Sequence, residues 1–267
     1  MLSRRLLAVA LLLGATLTGC ASPPGVSPEV RSALAPTGRL RASINLGNPV
    51  LAQRDKTSGA LSGVSVDLAQ ELGRRLDVPV DLLAVDSAGR SVEVVTGGAA
   101  DIGFFAVDPV RGQGVTFTAP YVVIEGAYLV KTASPLRSND EVDRDGVSVA
   151  VGKGSAYDLY LTREIKRARL VRVPTSPQVV DDFMAQGLDV AAGVRQQLEA
   201  DAKRVGGVRL LPGRFMVIEQ AMGLPNTRSE VATTYLRAFV EDMKSSGFVA
   251  RSLDRNGVAG ALVAPLR

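Results

Sequence analysis

The chain has 267 residues, 46% of them hydrophobic and 22% charged, and a formal net charge of +4. That composition excludes a disordered chain and provides for a sizeable core, and the scattered basic residues leave no nucleic-acid footprint. Histidine is absent and cysteine occurs once, which excludes zinc sites built on His or Cys, Ser-His or Cys-His catalysis, and internal disulfides.

The first element is a leader. Arg4 and Arg5 precede the apolar run 6–17, and small residues lead into Leu17-Thr18-Gly19-Cys20. At about 1.5 Å per helical residue the run reaches roughly 18 Å, short of a bilayer core of about 30 Å. Residues 1–19 therefore read as a signal peptide, not a membrane span. The tetrapeptide ending at Cys20 resembles a bacterial lipobox, which implies export, acylation of Cys20 and a mature N-terminus there. Two or three acyl chains, at about 0.8 kcal/mol per buried methylene, hold a protein durably on a membrane. Residues 20–38, rich in Pro, Ser, Gly and Ala without apolar periodicity, read as a lipidated flexible linker.

From residue 39 onward strands alternate with amphipathic helices. Residues 40–44 read as a strand. Residues 64–76 read as a helix, with Val64, Leu68, Leu72 and Leu76 at helical spacing and Ser62 or Ser65 as N-cap. A strand at 78–83, a short helix at 91–95 and a strand at 100–105 complete a βαβαβ series, which calls for a parallel sheet with helices on both faces. After the extended run 122–131 a second series follows: strands at 147–151, 170–173, 188–192 and 208–211, with helices at 157–168, 178–186 and 195–205. A second extended run, 215–224, leads to a helix at 229–244 and a short one ending near 254. Two βα series joined by two extended runs predict two lobes with the chain crossing between them twice: lobe 1 from 39–130 plus 222–267, and lobe 2 from 131–221.

Several motifs in order carry a family resemblance over nearly all of residues 40–257. They are Gly63-Val64-Ser65-Val66-Asp67-Leu68, Ala100-Asp101-Ile102-Gly103, Asp108-Pro109-Val110-Arg111, Val115-Thr116-Phe117-Thr118-Ala119-Pro120-Tyr121, Val149-Ala150-Val151-Gly152-Lys153-Gly154-Ser155 and Lys244-Ser245-Ser246-Gly247-Phe248. The chain resembles the extracellular solute-binding proteins of amino-acid ABC importers, family 3. The resemblance implies an α/β, type II periplasmic-binding-protein fold whose two lobes, linked by two crossover hinge strands, close on a ligand. It implies a binding protein and not an enzyme, a small-molecule solute, an ABC permease as membrane partner and a monomer held by its lipid on the extracytoplasmic face. No cofactor or metal is expected. By the same resemblance Arg111, just beyond a strand's carboxyl end, clamps the ligand carboxylate, a geometry that suits its guanidinium fork. Ser155 and Ala156, at a helix entry, offer backbone N–H groups and a hydroxyl; a helix cap without a ligand is the rival reading of Ser155.

The departures from the family pattern shape the expected ligand. Val194 stands where amino-acid binders carry an aspartate for the α-ammonium. Asn48 and Ser87 stand where aromatic residues often sandwich the ligand, Asp108 replaces a threonine, and Ala106 a small hydroxyl residue. Phe104 and Phe105 bring aromatic bulk to the strand end, one of them serving the core. Glu219 is the candidate substitute for the missing acid. Ligand contacts are thus expected from Arg111, Ser155, Ala156, Ala106, Asn45, Asn48, Phe104 and Glu219, for a solute bearing a carboxylate, an amino acid or related organic acid. Two alternatives share the lobes: a receptor that senses ligand without transport, and an enzyme similar to cyclohexadienyl dehydratases, with Glu219, Asp86 and Asp108 as candidate acids or bases.

Overall fold

The computed structural model describes residues 26–267; Cys20, the leader before it and the start of the linker lie outside the described residues. The linker expectation is corrected over its second half. Ser27 caps the helix α1 (Pro28–Leu34) by accepting a hydrogen bond from Val30 N at 3.3 Å, and Pro28 sits at its first turn. Leu34 and Ala35 are buried, and Arg31 Nε donates to Leu76 O at 2.8 Å. A proline at the first helical position starts a helix rather than breaking one.

The first half of the chain builds β1 (Leu40–Asn45), a small hairpin of β2 (Gln53–Arg54) and β3 (Leu61–Ser62), α2 (Val64–Leu76), β4 (Val80–Val85), α3 (Ala88–Thr96) and β5 (Ile102–Ala106). β1 pairs in parallel with β4 and β5. The apolar spacing of α2 is realised: Val64, Leu68, Leu72 and Leu76 are fully buried. Its N-cap is neither expected serine but Gly63, with no side-chain cap hydrogen bond.

Next comes β6 (Val115–Lys131), a 17-residue strand. The second half follows with β7 (Ser148–Gly152), α4 (Ala156–Glu164), β8 (Arg169–Val173), α5 (Val179–Ala185), β9 (Val190–Val194), α6 (Arg195–Val205) and β10 (Val208–Leu210). α4 ends sooner than its expected reach to 168, because Asp143 caps the backbone N–H groups of Lys166, Arg167 and Ala168 and turns the chain into β8. β11 (Met216–Pro225), α7 (Glu230–Ser245), α8 (Phe248–Arg255) and β12 (Leu262–Val263) complete the chain.

The sheet order β4-β1-β5-β11-β6-β9-β7-β8 places two parallel blocks on either side of the long antiparallel pair β6–β11. β6 pairs with β11 over much of its length, then with β9 from Gly126 to Val130. β11 reaches β5 only from Gln220 onward. Each crossing thus lies a few residues earlier than the expected 130/131 and 221/222 boundaries. The β6–β11 ladder slips register at Gln220/Ala221 and again before Gly223, irregularities that bend and twist a strand pair where the lobes meet. Separate apolar clusters serve the two halves, around Leu40, Leu68 and Leu236 in lobe 1 and around Val149, Leu161 and Phe183 in lobe 2.

Candidate functional site

The site forms where the carboxyl ends of β1 and β5 face the N-terminus of α4. Beyond β5, Asp108 Oδ1 accepts a hydrogen bond from Val110 N at 2.8 Å and folds the chain into a 3-10 turn, Arg111–Gln113. The turn carries Arg111 back beneath the strand end, where it is 4% exposed. Its Nη1 donates to Ala106 O at 3.0 Å, and its Nη2 crosses to the other lobe, donating to Gly154 O at 2.9 Å. Burial lowers the guanidinium pKa to about 10, a shift that the nearby Asp108 opposes.

The opposite wall begins at Gly154, whose φ of +70° brings the backbone close to Gly89 of lobe 1. Ser155 caps α4, its Oγ accepting from Asp158 N at 3.0 Å while Asp158 Oδ2 accepts from Gly154 N at 2.9 Å. The cap reading of Ser155 holds, yet the residue also lines the cleft. A second link joins the lobes: Asp108 Oδ2, almost fully buried, pairs with Arg163 of α4 at 2.9 Å. Thus Asp108 supports the Arg111 turn with one oxygen and ties the lobes with the other.

Between the walls lies a cavity of about 40 Å³. Seven of the eight expected residues line it: Arg111, Ser155, Ala156, Ala106, Asn45, Asn48 and Phe104. Asn45 Oδ1 is occupied by Gly47 N at 2.9 Å, so this side chain also shapes the loop. Phe104 meets Tyr121 edge-on at 6.1 Å, Phe105 packs with Val94, Val95 and Val115, and both also line the cavity.

Glu219 is the correction. It lies outside the lining, partly exposed, and pairs with Arg267 at 2.9 Å. Adjacent strand residues point to opposite faces, and on β11 it is Ile218 and Gln220 that reach the cavity. Gln220, buried at 6% exposure, was missed, although strand alternation allows only one of the pair Glu219-Gln220 to face inward. Tyr157 and Ser176 also line the cavity without any motif to announce them. Val194 lines it, Ser87 instead caps α3, and Asp86 is exposed outside the lining. Glu125, on β6, is held by Arg195 and Arg214 at 2.8 and 2.7 Å. None of the three candidate catalytic acids therefore lines the cavity. Among the described residues no cluster of His, Cys, Asp and Glu is placed to hold a metal ion, and no helix is long and apolar enough to cross a membrane.

Residues 41–257 match the family model for bacterial extracellular solute-binding proteins, family 3, and the chain belongs to that family. A protein of Bacillus subtilis strain 168 described as a probable amino-acid-binding protein, YxeM, is 25% identical over 167 residues, spanning 62% of this chain and 63% of that relative. The solved structure of the solute receptor for L-cysteine of Neisseria gonorrhoeae superposes with a TM-score of 0.74 at 20% identity, over 86% of this chain and 95% of the receptor. That of the ancestral amino-acid-binding protein AncCDT-1, a precursor of cyclohexadienyl dehydratase, superposes at 0.71 with 19% identity, over 84% of this chain and 98% of the other. Likenesses at these identities establish the fold: two lobes of the periplasmic-binding-protein type.

Proposed function

We propose that this family 3 protein captures a small carboxylate-bearing solute between its lobes and delivers it to an ABC permease. The observation that carries the reading is Arg111, a buried guanidinium lining the interlobe cavity with no ion-pair partner among the described residues. Burying a cation is costly until an anion meets it, and a carboxylate fits the guanidinium fork. The backbone N–H groups at the start of α4 favour the same anion. Arg111 and Gly154 lie on opposite lobes, so a ligand held between them rewards closure. We take the crossings to lie near Gly126 on β6 and Gln220 on β11, a few residues before 130/131 and 221/222, with lobe 2 the chain between them and lobe 1 the rest.

Calorimetry against small organic acids and amino acids tests this reading. At least one carboxylate should bind at micromolar or lower dissociation constant and reduce the radius of gyration in solution scattering. Glu219→Gln should leave that affinity within about twofold, since an exposed pair contributes little. Absence of binding by every carboxylate, or tight binding of an uncharged solute in its place, sinks the proposal.

The lipobox-like tetrapeptide supports a second element of the reading: a lipid on Cys20 that keeps the protein on the extracytoplasmic face of a membrane, beside its permease. Cys20→Ser should move the protein out of the membrane fraction or leave the precursor unprocessed. Normal processing with unchanged membrane retention would show that the anchor is elsewhere.

A further inference from the structure

Among the described residues one polar group of the cleft is left without a partner. Asn48 lines the cavity, and its Oδ1 is sealed from solvent and accepts no hydrogen bond from them. The backbone around it is pinned, since Leu51 N and Ala52 N donate to Asn48 O at 3.0 and 3.1 Å. A buried acceptor left unpaired is disfavoured, and such groups in folded proteins nearly always meet a donor.

The remaining walls decide what kind of donor suits it. Arg111 is the charged side chain of the lining, Gln220 is neutral, and Val194 presents hydrocarbon. Among the described residues no carboxylate lines this cavity. Asn48 also borders a smaller space of about 10 Å³ lined by Asp201, whose carboxylate Arg204 and Gln197 each hold at 2.8 Å. With Asp201 already paired to Arg204, an ammonium beside Asn48 would be a buried cation with no free acid to compensate it. A hydroxyl would give Asn48 Oδ1 its hydrogen bond and carry no charge to neutralise.

We propose that the site selects small hydroxy acids over amino acids, with Asn48 Oδ1 accepting the hydroxyl hydrogen bond while Arg111 holds the carboxylate. The inference rests on the carboxylate reading given above.

A matched three-carbon set isolates the group at the second carbon: lactate, propionate and alanine, titrated calorimetrically into the full chain. Lactate should bind at least about tenfold more tightly than either of the others, as expected where a buried polar group goes unpaired with the analogue. Asn48→Ala should bring lactate to within about threefold of propionate. Asn48→Asp should invert the order and favour alanine, because the new carboxylate compensates alanine's ammonium, whereas lactate and propionate bring only negative charge. Equal affinity of the wild-type protein for lactate and propionate overturns the inference alone, as does alanine as its best ligand. Failure of all three to bind while another carboxylate without a hydroxyl binds overturns the inference alone, and failure of every carboxylate overturns it together with the carboxylate reading.

Discussion

Arg111→Ala should weaken binding of the carboxylate ligand by about 2–5 kcal/mol, roughly 30- to 5,000-fold. The side chain is 4% exposed and fixed at both ends of its fork, to Ala106 O in lobe 1 and Gly154 O in lobe 2. Its replacement removes the charge that matches the ligand and one strut between the lobes. Arg111→Lys should recover only part of the loss, because an ammonium supplies the charge without the planar pair of N–H groups. The pH profile separates charge from shape. With the guanidinium pKa lowered to about 10 by burial, the free protein loses its cation above that pH, and a bound carboxylate favours the protonated form. Affinity should therefore stay level from about pH 6 to 9 and fall about tenfold per unit well above pH 10. A calorimetric series across that range checks it, and the Arg111→Ala protein should show no such fall. Undiminished affinity in Arg111→Ala would mean that the anion is held elsewhere.

How much of this site was legible depended on what kind of signal each residue carries. Arg111 could be placed because a motif ties it to the end of β5, and the 3-10 turn leaves little freedom over where it goes. Phe104, Ala106, Ser155 and Ala156 follow by the same logic, since strand ends and helix entries lie along the cleft. Glu219 and Gln220 are different. Both sit on a crossover strand whose facing is set by its register against β5 and β6, and the register slips beside Gln220; local sequence does not encode which of two neighbours points inward. The linker was misread over α1 for a related reason: four prolines suggest a stalk, but only tertiary contact with Leu76 and the core shows that Pro28–Leu34 docks. The interlobe pair of Asp108 and Arg163 joins residues 55 positions apart, and no periodicity reports such a meeting.

Gly63→Ala should be among the most destabilising single changes, at about 3–4 kcal/mol, and its effect should reach the ligand. Gly63 has φ +120° and ψ 168°, in a region where an L side chain is strained by about 1–3 kcal/mol. A Cβ there would also lie 2.3 Å from Leu51 O and 2.8 Å from Ala52 Cα, backbone atoms that cannot simply rotate aside. The loop that must yield is the one bonded to Asn48, through Leu51 N and Ala52 N, and it is further tied to α2 by Ser65 N donating to Leu51 O at 3.1 Å. Displacing it moves one wall of the cavity and loosens the start of α2, whose Val64, Leu68, Leu72 and Leu76 are fully buried in lobe 1. At roughly 2–4 °C per kcal/mol for a chain of this size, the melting temperature should drop by about 6–16 °C. Gly59→Ala supplies the control. Its φ of +72° is also left-handed, but a Cβ there meets nothing within 4 Å, so the cost should stay near 1 kcal/mol with ligand affinity untouched. Equal melting temperatures for the two variants would show that the contact at Leu51 relaxes without consequence. A stability loss in Gly63→Ala with unchanged ligand affinity would separate the loop's fold from the site it borders.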